Sequence, residues 1–303
     1  MVDPRTVTQR LALGVFFICL FIQTAEQASD RPHIVVFMAD DLGWNDVGFR
    51  DEDMHTPNID KLSSAGVNLN YSYMQQVCTP SRAAFLSGYY PFRMGLQHSV
   101  LEALQNASMP LKYRLLPQDL QSQGYKTHFI GKWHLGFCNY NMTPTYRGFD
   151  TFYGLYNGKA DYYSHISRRK GYDMHNNTGH GEGKSFTVAW SDKGTYSTHL
   201  FTDKTIQILE NHNKSKPVFI FLSYQAVHGP LEVPQYYVDS YCANVTTGND
   251  RKLHCGMTAA MDEGIGNVTA ALERLGFSDN LITLFISDNG GPIKLGQHTV
   301  TFL

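Results

Sequence analysis

Residues 78–82 combine a thiol, a helix start and a positive charge within one short segment. They read Cys78-Thr79-Pro80-Ser81-Arg82. Because Thr79 can cap a helix and Pro80 can open it, the segment predicts a helix that ends at Gly88. Free N–H groups and the positive dipole end at such a helix start favour an anion. At this spacing Cys78 and Arg82 share one helix face, which indicates sulfur chemistry on an oxyanion ester; the alternative is a buried cysteine beside a helix start.

Charged, amide and imidazole side chains follow four apolar runs that are typical of buried strands. The runs are His33–Ala39, Thr127–Ile130, Val218–Ser223 and Leu281–Ser287. The polar residues that follow them are Asp40, Asp41, Lys132, His134, His228, Asp288 and Asn289. Ligands of open α/β sheets bind outside the carboxyl ends of the strands. We therefore expect these side chains to meet at one edge of a sheet.

The elements that must position these side chains alternate along the chain. Helical patterns occur at Pro57–Ala65, Leu116–Ser122, Thr202–Asn211 and Met257–Leu275. Strands that alternate with helices predict an α/β domain with a mostly parallel central sheet flanked by helices. Residues Tyr156–Thr195 are rich in Gly, Tyr, His and Asn, and they predict a long irregular excursion at the substrate cleft.

Length and charge limit the class of protein. The 303 residues are enough for one large domain with a sizeable core. The formal net charge is −2 and no long basic run occurs, so nucleic acid is not an expected partner.

The acidic and amide residues of this set offer hard oxygen ligands. They are Asp40, Asp41, Asp288 and Asn289. Such ligands suit Ca²⁺ or Mg²⁺, whereas sites rich in His and Cys suit zinc. Taken alone, Asp-Asp after a strand is typical of a cap or turn, and Asp-Asn-Gly-Gly of a turn. Together with Cys78 they predict a divalent metal site.

The pentapeptide Cys-x-Pro-x-Arg resembles the signature of the sulfatases, in which the cysteine is oxidised to formylglycine during secretion. The other matching segments, in the family's order, are Asp40-Asp41, Gly131-Lys132-Trp133-His134-Leu135-Gly136, Val227-His228 and Asp288-Asn289-Gly290-Gly291. The resemblance runs from Pro32 to Gly291 and is strongest to the arylsulfatase B group, the N-acetylgalactosamine-4-sulfatases and their arylsulfatase relatives. It implies the alkaline-phosphatase-like sulfatase fold.

The resemblance also implies the cofactors. Cys78 would become formylglycine (3-oxoalanine) through a formylglycine-generating enzyme, and would contribute to a site for one calcium ion. The other implied ligands of that ion are Asp40, Asp41, Asp288 and Asn289. In the hydrated aldehyde, one hydroxyl would attack sulfur, and loss of the proton from the second would then release sulfate.

The resemblance further implies roles for the remaining residues. Lys132 and His134 alternate along an extended segment, so both are expected to face one side. Lys132 would bind sulfate oxygens, and His134 would contact the hydrate and act as the base for sulfate release. His228 would act on the leaving-alcohol side as a proton donor or hydrogen-bond partner. Arg82 would hold the formylglycine hydroxyl.

The implied activity is the hydrolysis of sulfate esters, in particular of sulfated N-acetylgalactosamine in glycosaminoglycans, or of aryl sulfates. One alternative is a catalytically impaired, truncated glycoprotein of the same family. Another is a phosphatase or phosphodiesterase of the same superfamily. Those enzymes typically use Ser or Thr and His-rich zinc sites, whereas the candidates here are carboxylates and an amide.

Residues 1–28 are typical of a signal peptide, which leaves 29–303 as the expected sulfatase domain. Arg5 and Arg10 supply positive charge, and the apolar run Leu11–Ile22 is too short for an ordinary membrane span. We expect no stable span after signal removal, and a lysosomal or extracellular location. The N-glycosylation sequons are at Asn106, Asn141, Asn176, Asn213, Asn244 and Asn267.

The cysteines agree with an oxidising compartment. Cys242 and Cys255 flank a polar stretch and predict a disulfide, the alternative being two free thiols. Once Cys78 is converted and Cys19 leaves with the signal peptide, Cys138 has no expected partner in this sequence.

The resemblance fades after Gly291. Family members continue with a Trp- and Arg-containing stretch that carries another active-site lysine, whereas this sequence stops at Leu303 and Lys294 is not assigned that role. The expectation is therefore a domain that is incomplete at its C-terminal end. The strand Leu281–Ser287 would then expose an edge and apolar surface. We expect such a chain to be poorly stable and weakly active or inactive.

Overall fold

A computed structural model describes residues 31–168, 170–179 and 185–292. The predicted signal peptide and Lys294 lie outside this part of the chain. The strands are β1 His33–Ala39, β2 Lys126–Lys132, β3 Thr151–Leu155, β4 His175–Thr178, β5 Ser185–Val188, β6 Val218–Ser223 and β7 Leu281–Ser287. They form one sheet in the order β5-β4-β3-β2-β6-β1-β7. Strands β3, β2, β6, β1 and β7 run parallel, while β4 and β5 are antiparallel.

Helices cover both faces of this sheet. They are α1 Pro57–Ala65, α2 Cys78–Ser87, α3 Leu116–Ser122, α4 Ser197–Glu210, α5 Gln235–Tyr241 and α6 Asn249–Arg274. Alternate residues of β1 enter two separate cores: Val35 and Phe37 join the core under α1, α4 and α6, and Val36 and Met38 join the core under α2. A sheet buried on both faces explains why its central strands read as continuous apolar runs. The predicted mostly parallel α/β fold is confirmed.

Two helices begin earlier in the chain than predicted. Helix α4 begins at Ser197 rather than Thr202, and α6 begins at Asn249 rather than Met257. Gly256, which precedes the predicted start, lies inside α6 and packs closely on α5, where an added Cβ would lie 2.9 Å from Val238. This glycine therefore serves a helix–helix contact instead of a helix start.

The prediction of an irregular excursion over Tyr156–Thr195 is partly wrong. Strands β4 and β5 fall within this range and pair antiparallel to each other. Strand β4 also pairs with β3, a strand that was not predicted from the sequence. Strand β4 reads His-Asn-Asn-Thr, so its composition gives no strand signal. Its place is set by pairing with the apolar β3 at the edge of the sheet.

Glycines permit a close approach of backbones at the carboxyl ends of β2, β3 and β6. Gly131 has a φ of 104°, and an added Cβ would overlap the carbonyl of Ser223 in β6. An added Cβ at Gly154 of β3 would in turn overlap the backbone of Gly131. This spacing fixes the position of Lys132, the next residue of β2.

Strand β7 lies at the edge of the described sheet. It pairs along its whole length with β1 and, among the described strands, with no other. Its side chains are only half-buried, and Ile282 is 51% exposed. Among the described strands, β7 is therefore an edge strand, and the predicted incompleteness of the domain stays a prediction.

The described cysteines and sequon asparagines differ in their exposure. Cys242 and Cys255 form the predicted disulfide, which joins the end of α5 to α6. Cys138 is exposed and is a free cysteine. Among the sequons Asn176 is half-buried within β4, and the exposed asparagines are Asn106, Asn141, Asn213, Asn244 and Asn267. Over the ranges that the structure describes, helices long and apolar enough to cross a bilayer are absent.

We expect Gly131→Ala to destabilise the fold by more than about 3 kcal/mol, because the new methyl group must displace the β6 backbone. Gly88→Ala is the control: Gly88 also has a positive φ, of 72°, but its added Cβ meets no atom within 4 Å, so only about 1 kcal/mol of backbone strain is expected. Denaturant unfolding of both variants measures this. Equal losses would show that β2 and β6 are not in such close contact.

Candidate active site

The helix start at Cys78 differs in detail from the prediction. Helix α2 begins at Cys78 itself, after an extended Val77, and no side chain caps it. The prediction of Thr79 as N-cap is wrong, because its hydroxyl is used elsewhere. It donates to the His134 carbonyl at 3.0 Å and accepts from the Leu101 amide at 3.1 Å. The amino end of α2 is therefore left without a side-chain cap at the position of the thiol.

Carboxylates from two neighbouring strand ends surround this thiol. Asp40 and Asp41 follow β1, and Asp288 follows β7, which is parallel to β1 and beside it. These three residues and Cys78 each bring one potential ligand atom within 4.8 Å of the others, and all four are buried. The Asp41 amide donates to Asp288 at 3.1 Å, and the Cys78 thiol donates to Asp40 at 3.5 Å. The predicted meeting of strand ends is present.

The amide that completes the set has an uncommitted oxygen. Asn289 donates from Nδ2 to Asp41 at 2.5 Å and to the Gly290 carbonyl at 2.9 Å. Its Oδ1 is buried and accepts no hydrogen bond from the described residues. A buried carbonyl oxygen beside three carboxylates is a suitable ligand for a hard cation.

Two buried cations face the carboxylates. Lys132, the last residue of β2, places Nζ 2.5 Å from Asp40 and 3.3 Å from the Cys78 sulfur. Arg82, one helical turn after Cys78, donates from Nε to Asp288 at 2.9 Å, and its Nη2 lies 3.8 Å from Asp40. The predicted common face of Cys78 and Arg82 is present, since both reach Asp40.

Sequence reasoning missed two serines that hydrogen-bond around this site. Ser223, the last residue of β6, accepts from Arg82 at 2.7 Å and donates to the Lys132 carbonyl at 2.9 Å. Ser287, the last residue of β7, accepts from the Leu42 amide at 3.1 Å. A signal was available, because each serine ends an otherwise apolar run.

The pKa values reflect three carboxylates opposed by only two cations. Burial, reinforced by Asp288, raises the pKa of Asp40 well above its usual range, although Lys132 opposes the shift. Burial also raises the pKa of Asp41. For Asp288, Arg82 and then Lys132 outweigh burial and lower the pKa. With all three carboxylates ionised, the cluster would carry more negative charge than its two cations neutralise, which favours a bound cation.

The environment of Cys78 disfavours its thiolate. Burial raises the pKa of this thiol well above its usual value; Lys132 opposes this shift, and the nearby carboxylates add to it. The thiol is therefore protonated at neutral pH and is a weak nucleophile. Unmodified Cys78 is unsuited to attack an ester.

His228 reaches the same cluster. Its Nε2 lies 3.6 Å from Asp41, and its Nδ1 lies 2.6 Å from the Gly229 carbonyl. Because a carbonyl only accepts, Nδ1 carries the proton and Nε2 is the unprotonated nitrogen. Burial, and then Lys132, lower the pKa of His228 to about 3, so the ring is neutral.

His134 adopts a conformation that strand alternation did not predict. Strand β2 ends at Lys132, and His134 has a φ of 57°, so the two residues do not simply alternate. Its Nε2–H donates to the Leu101 carbonyl at 3.0 Å, and its buried Nδ1 has no hydrogen-bond partner among the described residues. Burial, and then Lys132, lower the pKa of His134 well below its usual value. The ring is neutral and presents one free acceptor.

Comparison with known proteins identifies relatives across most of the chain. The family model for sulfatases matches residues 32–301. Arylsulfatase J of Mus musculus is 42% identical over 273 residues, which cover 88% of this chain and 44% of that protein. N-acetylgalactosamine-6-sulfatase of Homo sapiens is 27% identical over 285 residues, covering 89% of this chain and 52% of that protein. The chain thus spans about half the length of these curated relatives.

Solved structures of similar proteins also match most of this chain. The crystal structure of Ps i-CgsB has a TM-score of 0.79 and 29% identity, over 90% of this chain and 62% of that one. PsFucS1 sulfatase from Pseudoalteromonas sp. has a TM-score of 0.71 and 25% identity, over 96% of this chain and 60% of that one. Because the family model covers nearly every described residue, this chain belongs to the sulfatase family.

Proposed function

We propose that this protein is a sulfuric ester hydrolase in which Cys78, converted to formylglycine, and one divalent cation act together. Sulfatases generally use both groups. The observation that carries the proposal is the buried cluster in which Cys78 lies between carboxylates and Lys132 at the strand ends. Conversion by a formylglycine-generating enzyme would remove the protonated, weakly nucleophilic thiol. As its hydrate, formylglycine would supply the hydroxyl that attacks sulfur.

The charge balance supports a divalent cation at this cluster. Three carboxylates face two cationic side chains, so a divalent ion would leave one positive charge, enough to balance a singly charged sulfate ester. In the fully buried group of Asp40, Asp41, Asp288 and Cys78, the donors other than Cys78 are oxygens, which fits Ca²⁺ better than Zn²⁺, although His228 also lies within reach of Asp41 and Cys78. We propose Asp40, Asp41, Asp288 and Asn289 as its ligands. When bound, the ion would neutralise a sulfate oxygen and stabilise charge in the transition state.

The chain's own residues would bind the ester and handle protons. Lys132 lies 3.3 Å from the Cys78 sulfur, close enough to donate to a sulfate oxygen held there. The free Nδ1 of His134 would accept a proton from the converted residue. The unprotonated Nε2 of His228 would take up the proton that the attacking hydroxyl gives up and would donate it to the departing alcohol oxygen. Arg82 would hold Asp288 and Asp40 in place.

The substrate proposed is a sulfate ester of N-acetylgalactosamine in a glycosaminoglycan. The relative named N-acetylgalactosamine-6-sulfatase supports this choice of sugar. A second structure of Ps i-CgsB, 28% identical, is a complex with k-i-k-neocarrahexaose, so a saccharide is seen bound to a similar protein. The arylsulfatase B-like subtype stays a prediction.

We also propose a lysosomal or extracellular glycoprotein. The disulfide between Cys242 and Cys255 is typical of an oxidising compartment. The exposed sequon asparagines are sterically accessible for glycosylation, whereas Asn176 is half-buried in a strand. We therefore expect occupancy at the exposed sites before Asn176.

Protein from a competent eukaryotic secretory host is expected to carry an aldehyde at position 78, detectable by mass spectrometry of the peptide that contains it. Cys78→Ala is expected to lower turnover of 4-nitrophenyl sulfate on the order of 10³-fold or more, because the nucleophile is lost. Cys138→Ala, which changes the exposed free cysteine, is the matched control and should keep wild-type turnover. An intact thiol at Cys78 together with full turnover would refute the proposal.

Calcium is expected to raise the stability of the protein by about 2.7 kcal/mol at a concentration 100-fold above its Kd. Asp41→Asn should abolish most of this gain, because it removes a charged ligand. Asp119→Asn is the control, since Asp119 is exposed and pairs only with Arg114 at the surface. Thermal unfolding with and without calcium measures the effect. Stabilisation by zinc but not calcium, or an unchanged gain in Asp41→Asn, would contradict the assignment.

A further inference from the structure

We propose that Lys159 determines substrate specificity by binding a second anionic group of the substrate, next to the sulfate ester that is cleaved. This inference rests on the proposed sulfatase function and deepens it. Lys159 lies outside the short motifs by which the sequence resembles the sulfatases. It lies instead in the irregular part of the excursion after β3, between Gly158 and Ala160.

The backbone on both sides of Lys159 is fixed against the active site. Gly158 packs so closely on the His134 ring that an added Cβ would overlap the imidazole. Ala160 is held at both of its backbone polar groups by Gln225: its amide donates to Oε1 at 3.2 Å, and its carbonyl accepts from Nε2 at 2.6 Å. These contacts therefore fix the backbone position of Lys159.

The same contacts place this segment beside His228. Gln225 follows β6 and precedes His228 by one short turn, in which the His228 amide donates to the Gln225 carbonyl at 3.0 Å. The buried Tyr162 hydroxyl lies 3.0 Å from the Gln225 carbonyl and 2.8 Å from the His228 carbonyl, so it joins the two segments. Gln225 and Tyr162 therefore hold the backbone of the Lys159 segment beside His228, on the leaving-group side of the proposed site.

Lys159 is available for a ligand, unlike the other lysine of the site. Lys132 is fully buried and is engaged by Asp40 and Cys78. Lys159 is half-buried, and within the described ranges no carboxylate lies at ion-pair distance from it.

Two acidic residues that contact the Tyr162 segment, Asp161 and Glu232, already have partners. Asp161 accepts from the amides of Tyr163 and Ser164, at 3.1 and 2.6 Å. Glu232 accepts from the Tyr162 amide at 2.8 Å and shares a hydrogen bond with Asp161. A lysine held beside the leaving-group side without a carboxylate partner suits an anionic group on the substrate. A substrate with two anionic groups would then use Lys132 for one and Lys159 for the other.

The test measures equilibrium binding in the Cys78→Ala background, where the substrate stays uncleaved. The probes are a sulfated N-acetylgalactosamine–uronate disaccharide, its uronate methyl ester, and a disulfated N-acetylgalactosamine. Isothermal titration calorimetry compares the Cys78→Ala protein with the same protein carrying Lys159→Gln. Lys159→Arg is the conservative variant, and Lys61→Gln is the control at an exposed helical lysine.

We expect Lys159→Gln to weaken binding of the uronate disaccharide, of the disulfated sugar or of both by about fivefold. Binding of the methyl ester should not change, Lys159→Arg should restore most of the affinity, and Lys61→Gln should behave as wild type. The two anionic probes distinguish a carboxylate from a second sulfate as the group recognised. With Cys78 intact, Lys159→Gln should raise KM for the same probe and leave kcat nearly unchanged.

Equal affinity of Lys159 and Lys159→Gln for both anionic probes would overturn the inference, as would equal weakening for the methyl ester. Failure of all three probes to bind would overturn it as well. A charge-selective loss of binding combined with no turnover of any sulfate ester would instead refute the proposed function and leave the role of Lys159 in binding intact.

Discussion

The Arg82 guanidinium is the interaction on which the rest of the site depends. It is almost completely buried and joins α2 to the ends of three strands: to β2 through the Lys132 carbonyl at 2.6 Å, to β6 through Ser223, and to β7 through Asp288. A buried charge is tolerated only when its partners are in place. In other proteins, removing one partner of a buried ion pair typically lowers stability by about 3–5 kcal/mol. The position of Cys78, one turn earlier on α2, follows from where Arg82 is held.

The same buried charges determine what the histidines and the thiol can do. Lys132 lowers the pKa of His134 and of His228, in each case after burial, so both rings are neutral acceptors. Burial raises the pKa of Cys78 and keeps it a thiol. These shifts have one origin, a set of charges enclosed at the strand ends where solvent does not screen them. The arrangement is suited to receive a cation and an anion together and is poorly suited to thiolate chemistry.

How much could be predicted from the sequence depends on how local the signal was. The runs that became β1, β6 and β7 were predicted residue for residue because a sheet covered on both faces needs continuous apolar strands. The side chains at those strand ends were predicted to meet, and Cys78 and Arg82 were placed on one face, because both follow from parallel pairing and helical spacing. Position along the chain was sufficient for these inferences.

The features that were predicted wrongly have a different cause, since each depends on a contact with a distant part of the chain. Thr79 does not cap α2 because its hydroxyl bonds the backbone at Leu101 and His134. The His134 ring is directed by the Leu101 carbonyl and not by strand alternation. Strand β4 has a polar sequence and exists through its pairing with β3. A pattern in one segment of the sequence cannot identify partners that lie in distant segments.

Lys159 illustrates why specificity is harder to read from a sequence than reaction type. The proposed reaction needs particular residue types at rigid strand ends, so its residues occur in recognisable order. A residue that selects a substrate needs only to be held near the reacting ester, and many loop sequences can do that. Here the holding is done by Gln225 and Tyr162, which bind backbone groups and therefore leave no pattern in the sequence around Lys159. The structure identifies such a residue because it shows a fixed backbone, an adjacent His228 and a cation without an ion-pair partner in the part of the chain described.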